Sequence, residues 1–212
     1  SIKSNQIKSK SKLQPMAAVA GSLVVELGEP FLAGCVFYLG HATATPRDRM
    51  REIEKQIAHH GGRCAANVED AGTTHAVMEQ RECREYEYWR AREKTVVVVH
   101  PEWLNACLRA KRVLDVGESV LYSPPQSLRG VDAMRDCVVC VTGYTGERRR
   151  DVETMARVLG AKFQKAYDRT VTHLVCFEHE GAKWARAKEL KQTHIVNHRW
   201  LEESVAKWTR AD

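Results

Sequence analysis

The chain has 212 residues, 43% of them hydrophobic and 28% charged, with a formal net charge of +6. That is enough apolar material for one or two globular domains. No apolar run approaches the roughly 18 residues that a membrane helix needs, so a membrane is not an expected partner. The basic excess favours acidic partners such as nucleic acid, phosphorylated protein or an acidic surface. Much of it sits in Lys3, Lys8, Lys10, Lys12 and one arginine run, so net charge alone decides little.

Residues 1–12 are polar and basic, without the apolar core or cleavage-like site of a signal peptide. Residues 1–29 are expected to form a disordered or extended leader. A chain that starts at Ser1 and has its first methionine at Met16 looks like a fragment of something longer. The cysteines number seven and fall singly inside apolar segments. That is the usage of small buried hydrophobes in a reducing compartment, cytosol or nucleus.

In chain order, residues 35–39 form a short apolar run that reads as a buried parallel strand. A helix follows, with Met50, Ile53 and Ile57 on one face and Gly61-Gly62 at its end. A short strand near residues 63–66 and a β-rich one over 74–78 come next. A second helix over about 85–93, a strand at 96–99 and a closing helix with Trp103 complete the series. Residues 113–135 contain Gly117, Ser123-Pro124-Pro125 and Gly130, the composition of a linker.

The series then begins again. Residues 137–141 are a second apolar strand, and Val152, Met155, Ala156 and Leu159 form one helical stripe ended by Gly160. Strands near 161–164 and 172–176, a helix over 182–191, a strand at 194–196 and a closing helix with Trp200 follow. Thr74-His75-Ala76-Val77 matches Thr172-His173-Leu174-Val175 at an offset of 98, and Gly62 matches Gly160 at the same offset. The Trp103 and Trp200 segments match at 97, and the strand endings Leu39-Gly40 and Thr142-Gly143 at 103. Four matches in one order mark an internal repeat with a longer first loop in the first copy. Strands alternating with helices imply an α/β unit with a parallel sheet covered on both faces.

Gly-Gly after the first helix, Thr-His with apolar residues on the third strand, and Trp in the last helix resemble the BRCT domain. The resemblance covers roughly residues 30–208. It is closest in the second copy, through Val141-Thr142-Gly143-Tyr144, Val171-Thr172-His173-Leu174-Val175-Cys176 and Asn197-His198-Arg199-Trp200-Leu201. The pair resembles the N-terminal tandem of a plant BRCT-protein family linked to DNA-damage responses. The resemblance implies two BRCT domains in tandem, each a four-stranded parallel sheet flanked by three helices. They are expected over residues 30–112 and 136–212, joined by a linker over 113–135.

It also implies a nuclear, non-enzymatic module that binds phosphoserine or phosphothreonine peptides. Phosphate-reading members use a Ser or Thr hydroxyl and the next Gly amide at the end of the first strand, with a Lys at the start of the second helix. A phosphate dianion needs several charge-assisted donors in fixed geometry. Glycine lets the backbone approach, a helix N-terminus adds free amides, and lysine adds a point charge. Thr142, Gly143 and Lys183 match these positions in the second copy. Tyr144, Arg148, Arg149 and Trp184 are candidates for further ligand contacts. The first copy has Leu39-Gly40 and an acidic Glu85-Tyr86-Glu87, so it is expected to be a structural or protein-binding partner.

No metal or other cofactor is expected. Cys137 with Cys140, and His173 with Cys176, have zinc-like spacing. On strands, however, side chains three apart face opposite sides of the sheet. The expected partner is a phosphorylated protein, with a phosphorylated histone tail as one candidate. Three other functions fit the same residues. One is a phosphate-independent scaffold, another a targeting region cut from a larger DNA-repair enzyme, and the weakest is DNA binding through the basic surface.

Overall fold

The computed structural model describes residues 30–40 and 47–212. The leader expected over 1–29 and the segment 41–46 lie outside the described residues. The first copy runs β1 (Val36–Leu39), α1 (Arg47–His59), β2 (Arg63–Cys64), β3 (His75–Val77), α2 (Arg84–Arg90), β4 (Val97–Val99) and α3 (Pro101–Ala110). Three 3-10 turns follow, at Val116–Glu118, Val120–Tyr122 and Asp132–Met134. The second copy runs β5 (Val138–Thr142), α4 (Gly146–Val158), β6 (Lys162–Phe163), β7 (His173–Cys176), α5 (Gly181–Leu190), β8 (His194–Val196) and α6 (His198–Lys207). The strands form two separate four-stranded sheets, ordered β2-β1-β3-β4 and β6-β5-β7-β8. Every pairing is parallel.

Strand alternation explains the layering. Val139, Val141 and Val175 pack with Val152, Met155 and Ala156 of α4 and with Leu201 of α6. The intervening Cys140, Leu174 and Cys176 pack with Ala187 of α5 on the opposite face. Cys137 belongs to the first of these cores and Cys140 to the second, so their zinc-like spacing does not bring the two sulfurs together.

The repeated Thr-His motif has a structural cause in each copy. Thr172 Oγ1 accepts from the Val138 amide at 2.9 Å and lies 2.8 Å from His173 Nδ1. The imidazole then stacks on the Trp200 indole, with centroids 4.5 Å apart. In the first copy Thr74 Oγ1 bonds the Val36 amide at 2.8 Å, and His75 stacks on Trp103 at 5.0 Å. Each motif therefore ties the start of the central strand to the closing helix.

Strand register corrects two of the expected matches by one residue. Leu39 pairs with Val77, as Val141 pairs with Val175. The first-copy counterpart of Thr142 is therefore Gly40, not Leu39. At the helix ends, Gly61 and Gly160 share the left-handed conformation, with φ of 83° and 85°, so Gly160 corresponds to Gly61 rather than Gly62. Single-sequence offsets slipped here because short apolar runs ending in glycine can be slid by one residue without losing their pattern.

The two copies meet through the connecting segment. The turn at Val120–Tyr122 packs against α3, α4 and α6, and Tyr122 joins the cores of both copies. Its carbonyl accepts from the His100 amide at 2.7 Å. The Arg109 guanidinium on α3 lies 3.1 Å from Glu147 on α4; with side chains 37% and 68% exposed, this pair contributes little. Gly130 has φ of 72°, and a Cβ there would stand 2.7 Å from the backbone of Leu159 and Gly160, so this crossing requires glycine.

Burial makes the core histidines pH sensors. It is the main cause that pulls both His173 and His100 down to about 4; His194 and Arg210 add to the effect on His173. In an unfolded chain the same groups titrate near 6.5. Between these values the unfolded state binds more protons, so stability is expected to fall as pH drops from about 6.5 towards 4. Thermal melts at pH 7.5, 6 and 5 check this. A midpoint constant over that range would contradict it.

Candidate functional site

The C-terminal end of β5 and the N-terminal end of α5 meet in the second copy. Thr142 is the last residue of β5 and is half-buried. Its hydroxyl has no hydrogen-bond partner among the described residues, while its carbonyl accepts from the Phe177 amide at 3.2 Å. Gly143 follows, exposed and left-handed, with φ of 78°. A Cβ at this position would stand 3.1 Å from the Phe177 Cβ, tighter than ordinary packing tolerates.

α5 opens with Gly181, also left-handed at φ of 86°; a Cβ built on it would lie 3.9 Å from Thr142 Oγ1. Glu180 precedes the helix in an extended conformation and makes no side-chain capping bond. The first turn of α5 contains no acidic residue. An uncapped helix start presents free amides and a positive partial charge.

Lys183 lies in this first turn. Its ammonium donates to the Val141 carbonyl at 3.0 Å and to the Lys165 carbonyl at 2.6 Å, and sits 3.4 Å from Cys140 Sγ. The charge is thus held beside the residue preceding Thr142, by backbone oxygens rather than by a carboxylate. The structure brings Thr142, Gly143 and the α5 N-terminus together, with Lys183 turned onto the strand ends.

The remaining candidates divide. Tyr144 is buried, and its hydroxyl is within bonding distance of the Cys176 carbonyl at 3.2 Å and His198 Nδ1 at 3.1 Å. Arg148 is exposed, with its guanidinium 5.7 Å from the centroid of the Phe177 ring. Arg149 is half-buried on α4. Trp184 is half-buried against the α5-side core and stacks on His179 at 6.3 Å. Sequence reasoning missed Phe177 and Gly181. The only signal for them was adjacency, Phe177 to the third strand and Gly181 to Lys183.

The first copy lacks this arrangement. Gly40 occupies the Thr142 position, and a Cβ there would stand 2.8 Å from Met78 Sδ, leaving no room for a hydroxyl-bearing side chain without repacking. Val77 of β3 is equivalent to Val175 of β7, and eight residues further on Glu85 of α2 falls at the position of Lys183 of α5. Burial, then the charge of Glu85 and a hydrogen bond that the hydroxyl donates to its carboxylate, push the Tyr38 hydroxyl up to about 12. A carboxylate thus stands where the second copy has an ammonium.

Comparison with protein families gives a BRCA1 C Terminus (BRCT) domain over residues 28–108 and a twin BRCT domain over 137–200. The chain belongs to the BRCT family. Its two BRCT domains stand in tandem, in the topology described above. A BRCT domain-containing protein of Arabidopsis thaliana, At4g02110, is 39% identical over 119 residues, covering 56% of this chain and 9% of that protein. PAX-interacting protein 1 of Mus musculus is 29% identical over 175 residues, covering 82% of this chain and 16% of that protein. This tandem therefore spans a small part of the length of both relatives. Yeast Rtt107 superposes with a TM-score of 0.75 at 16% identity, over 87% of this chain and 44% of its own, a likeness of fold. BRCT domains are typically non-enzymatic interaction modules.

Proposed function

We propose that the tandem is a phosphopeptide reader whose pocket lies in the second BRCT domain. The observation that carries this is the unpartnered Thr142 hydroxyl, set between the left-handed Gly143 and the uncapped start of α5. Phosphate oxygens would accept from Thr142 Oγ1, the Gly143 amide and the ammonium of Lys183. For the last of these, Lys183 exchanges at least one of its backbone carbonyl partners for the ligand. A dianion suits this exchange, because charge-assisted bonds to phosphate are stronger than bonds to a neutral carbonyl.

The first domain, with Gly40 and Glu85 at the matching positions, acts as a structural partner. A nuclear protein of the DNA-damage response, phosphorylated on serine or threonine, is the class of ligand that fits the family. A phosphorylated histone tail is one candidate within it. The test is calorimetric titration of the tandem with matched phosphorylated and unphosphorylated peptides, taken from an array that includes histone tails. Binding that requires the phosphate supports the proposal. Equal binding to both forms favours a phosphate-independent scaffold, and salt-dependent affinity for duplex DNA favours the basic surface instead.

A further inference from the structure

Next to the loop at Gly143 lies a cleft of about 380 Å³ between α4 and α6, lined by Tyr144, Arg148, Asp151, Phe177, His198 and Glu202 among others. Tyr144 is buried and meets Phe177 edge to face, with centroids 5.5 Å apart. Phe177 itself is 46% exposed, a large ring left partly open beside Gly143.

Two carboxylates enter this aromatic setting. Asp151 and Glu202 are both half-buried, and neither forms an ion pair among the described residues. The neighbouring carboxylate, Glu147, is by contrast engaged with both Arg109 and Arg150. Burial and then Glu147 push the Asp151 carboxyl up, against the opposing pull of Arg109 and Arg150. A half-buried carboxylate outside any close ion pair is costly, and a cation supplied by a ligand lowers that cost. The one guanidinium on the cleft lining among the described residues, Arg148, is exposed and lies over Phe177, so solvent screens it more than it screens the two carboxylates.

We infer that this cleft takes the side chain of an arginine or lysine flanking the phosphorylated residue, resting its aliphatic stem on Phe177 and placing its charge between Asp151 and Glu202. This rests on the phosphate pocket proposed above and adds a ligand preference to it: phosphorylated serine or threonine with a basic neighbour. An acidic neighbour would meet two half-buried carboxylates. The corresponding cleft of the first domain carries Asn105 where the second has Glu202 and Glu79 where it has Phe177, so it lacks the same combination.

The experiment uses the whole tandem and a peptide set in which each flanking position in turn carries Arg, Lys, Leu or Glu. Each peptide is made with and without phosphate on the central serine. It is titrated against the parent protein and against the double variant Asp151→Asn, Glu202→Gln, whose near-isosteric changes leave Thr142, Gly143 and Lys183 intact. The expected result is that Arg or Lys at one position improves affinity about tenfold or more over Glu. The double variant should lose that preference while keeping parent affinity for the Leu-flanked phosphopeptide. Phosphate-dependent binding with no basic preference, or a preference that survives in the double variant, overturns the cleft assignment and leaves the phosphate pocket standing. A basic preference that the double variant abolishes equally with and without phosphate supports the cleft and removes the phosphate pocket. Binding indifferent to both removes both.

Discussion

Trp103→Ala is expected to cost about 3–5 kcal/mol of stability, the range for truncating a large buried aromatic. The indole is 1% exposed and packs against Phe37, Val99 and Leu104 in the core of the first domain. It stacks on His75, and its Nε1 donates to the Leu114 carbonyl at 2.9 Å. Alanine would leave a cavity, free His75 on one face and orphan a buried carbonyl at the start of the connecting segment. The loss is comparable to much of a domain's total stability, and it should lower the melting midpoint by at least about 10 °C. Trp200→Ala in the second domain should behave alike, since Trp200 stacks on His173 and its Nε1 donates to Ala211 at 2.9 Å. Thermal melts of both variants check this. A shift of only one or two degrees in either would show that the closing helix is not the anchor proposed. Trp103→Phe separates the terms, because it keeps most of the apolar volume and loses the hydrogen bond, and so should cost less than alanine.

The fold was legible in the sequence where residue chemistry and position are tightly coupled. Thr74-His75 and Thr172-His173 stood out because each pair satisfies a strand amide and stacks on the closing Trp. The stripe of Val152, Met155, Ala156 and Leu159 stood out because all four are buried. Less legible was whatever depends on register or on contacts distant in sequence. Nothing in the composition of Leu39-Gly40 distinguishes a strand ending at Leu39 from one in which Gly40 stands level with Thr142; only the pairing with Val77 decides it. The alignment of residues 81–82 with 125–126 by backbone hydrogen bonds was equally invisible, because Pro125 and Gln126 make those bonds with main-chain atoms that carry no side-chain signature. At the candidate site, the residue types pointed to Thr142, Gly143 and Lys183. They did not indicate that Lys183 Nζ is held by the Val141 and Lys165 carbonyls, 42 and 18 residues away in sequence.

Those two carbonyls shape the expectation for Lys183→Glu, which should reduce phosphopeptide affinity by more than a hundredfold. Losing a charge-assisted hydrogen bond to phosphate costs about 1.5–3 kcal/mol, or ten- to a hundredfold. The introduced carboxylate adds repulsion against the dianion. It would also face the Val141 and Lys165 carbonyls, so part of the loss could come from a displaced strand end rather than from the missing cation. Thr142→Ala avoids that ambiguity. Its hydroxyl bonds nothing among the described residues, so the variant should melt within a degree or two of the parent and still lose about ten- to a hundredfold in affinity. Calorimetric titration with a validated phosphopeptide and its unphosphorylated form, alongside thermal melts, separates the effects. Glu85→Lys in the first domain is the matched control: it restores the missing charge at a site where Gly40 still offers no hydroxyl, and it should create no second phosphate site. Parent affinity in both Lys183→Glu and Thr142→Ala would remove the pocket and leave the tandem as a phosphate-independent scaffold.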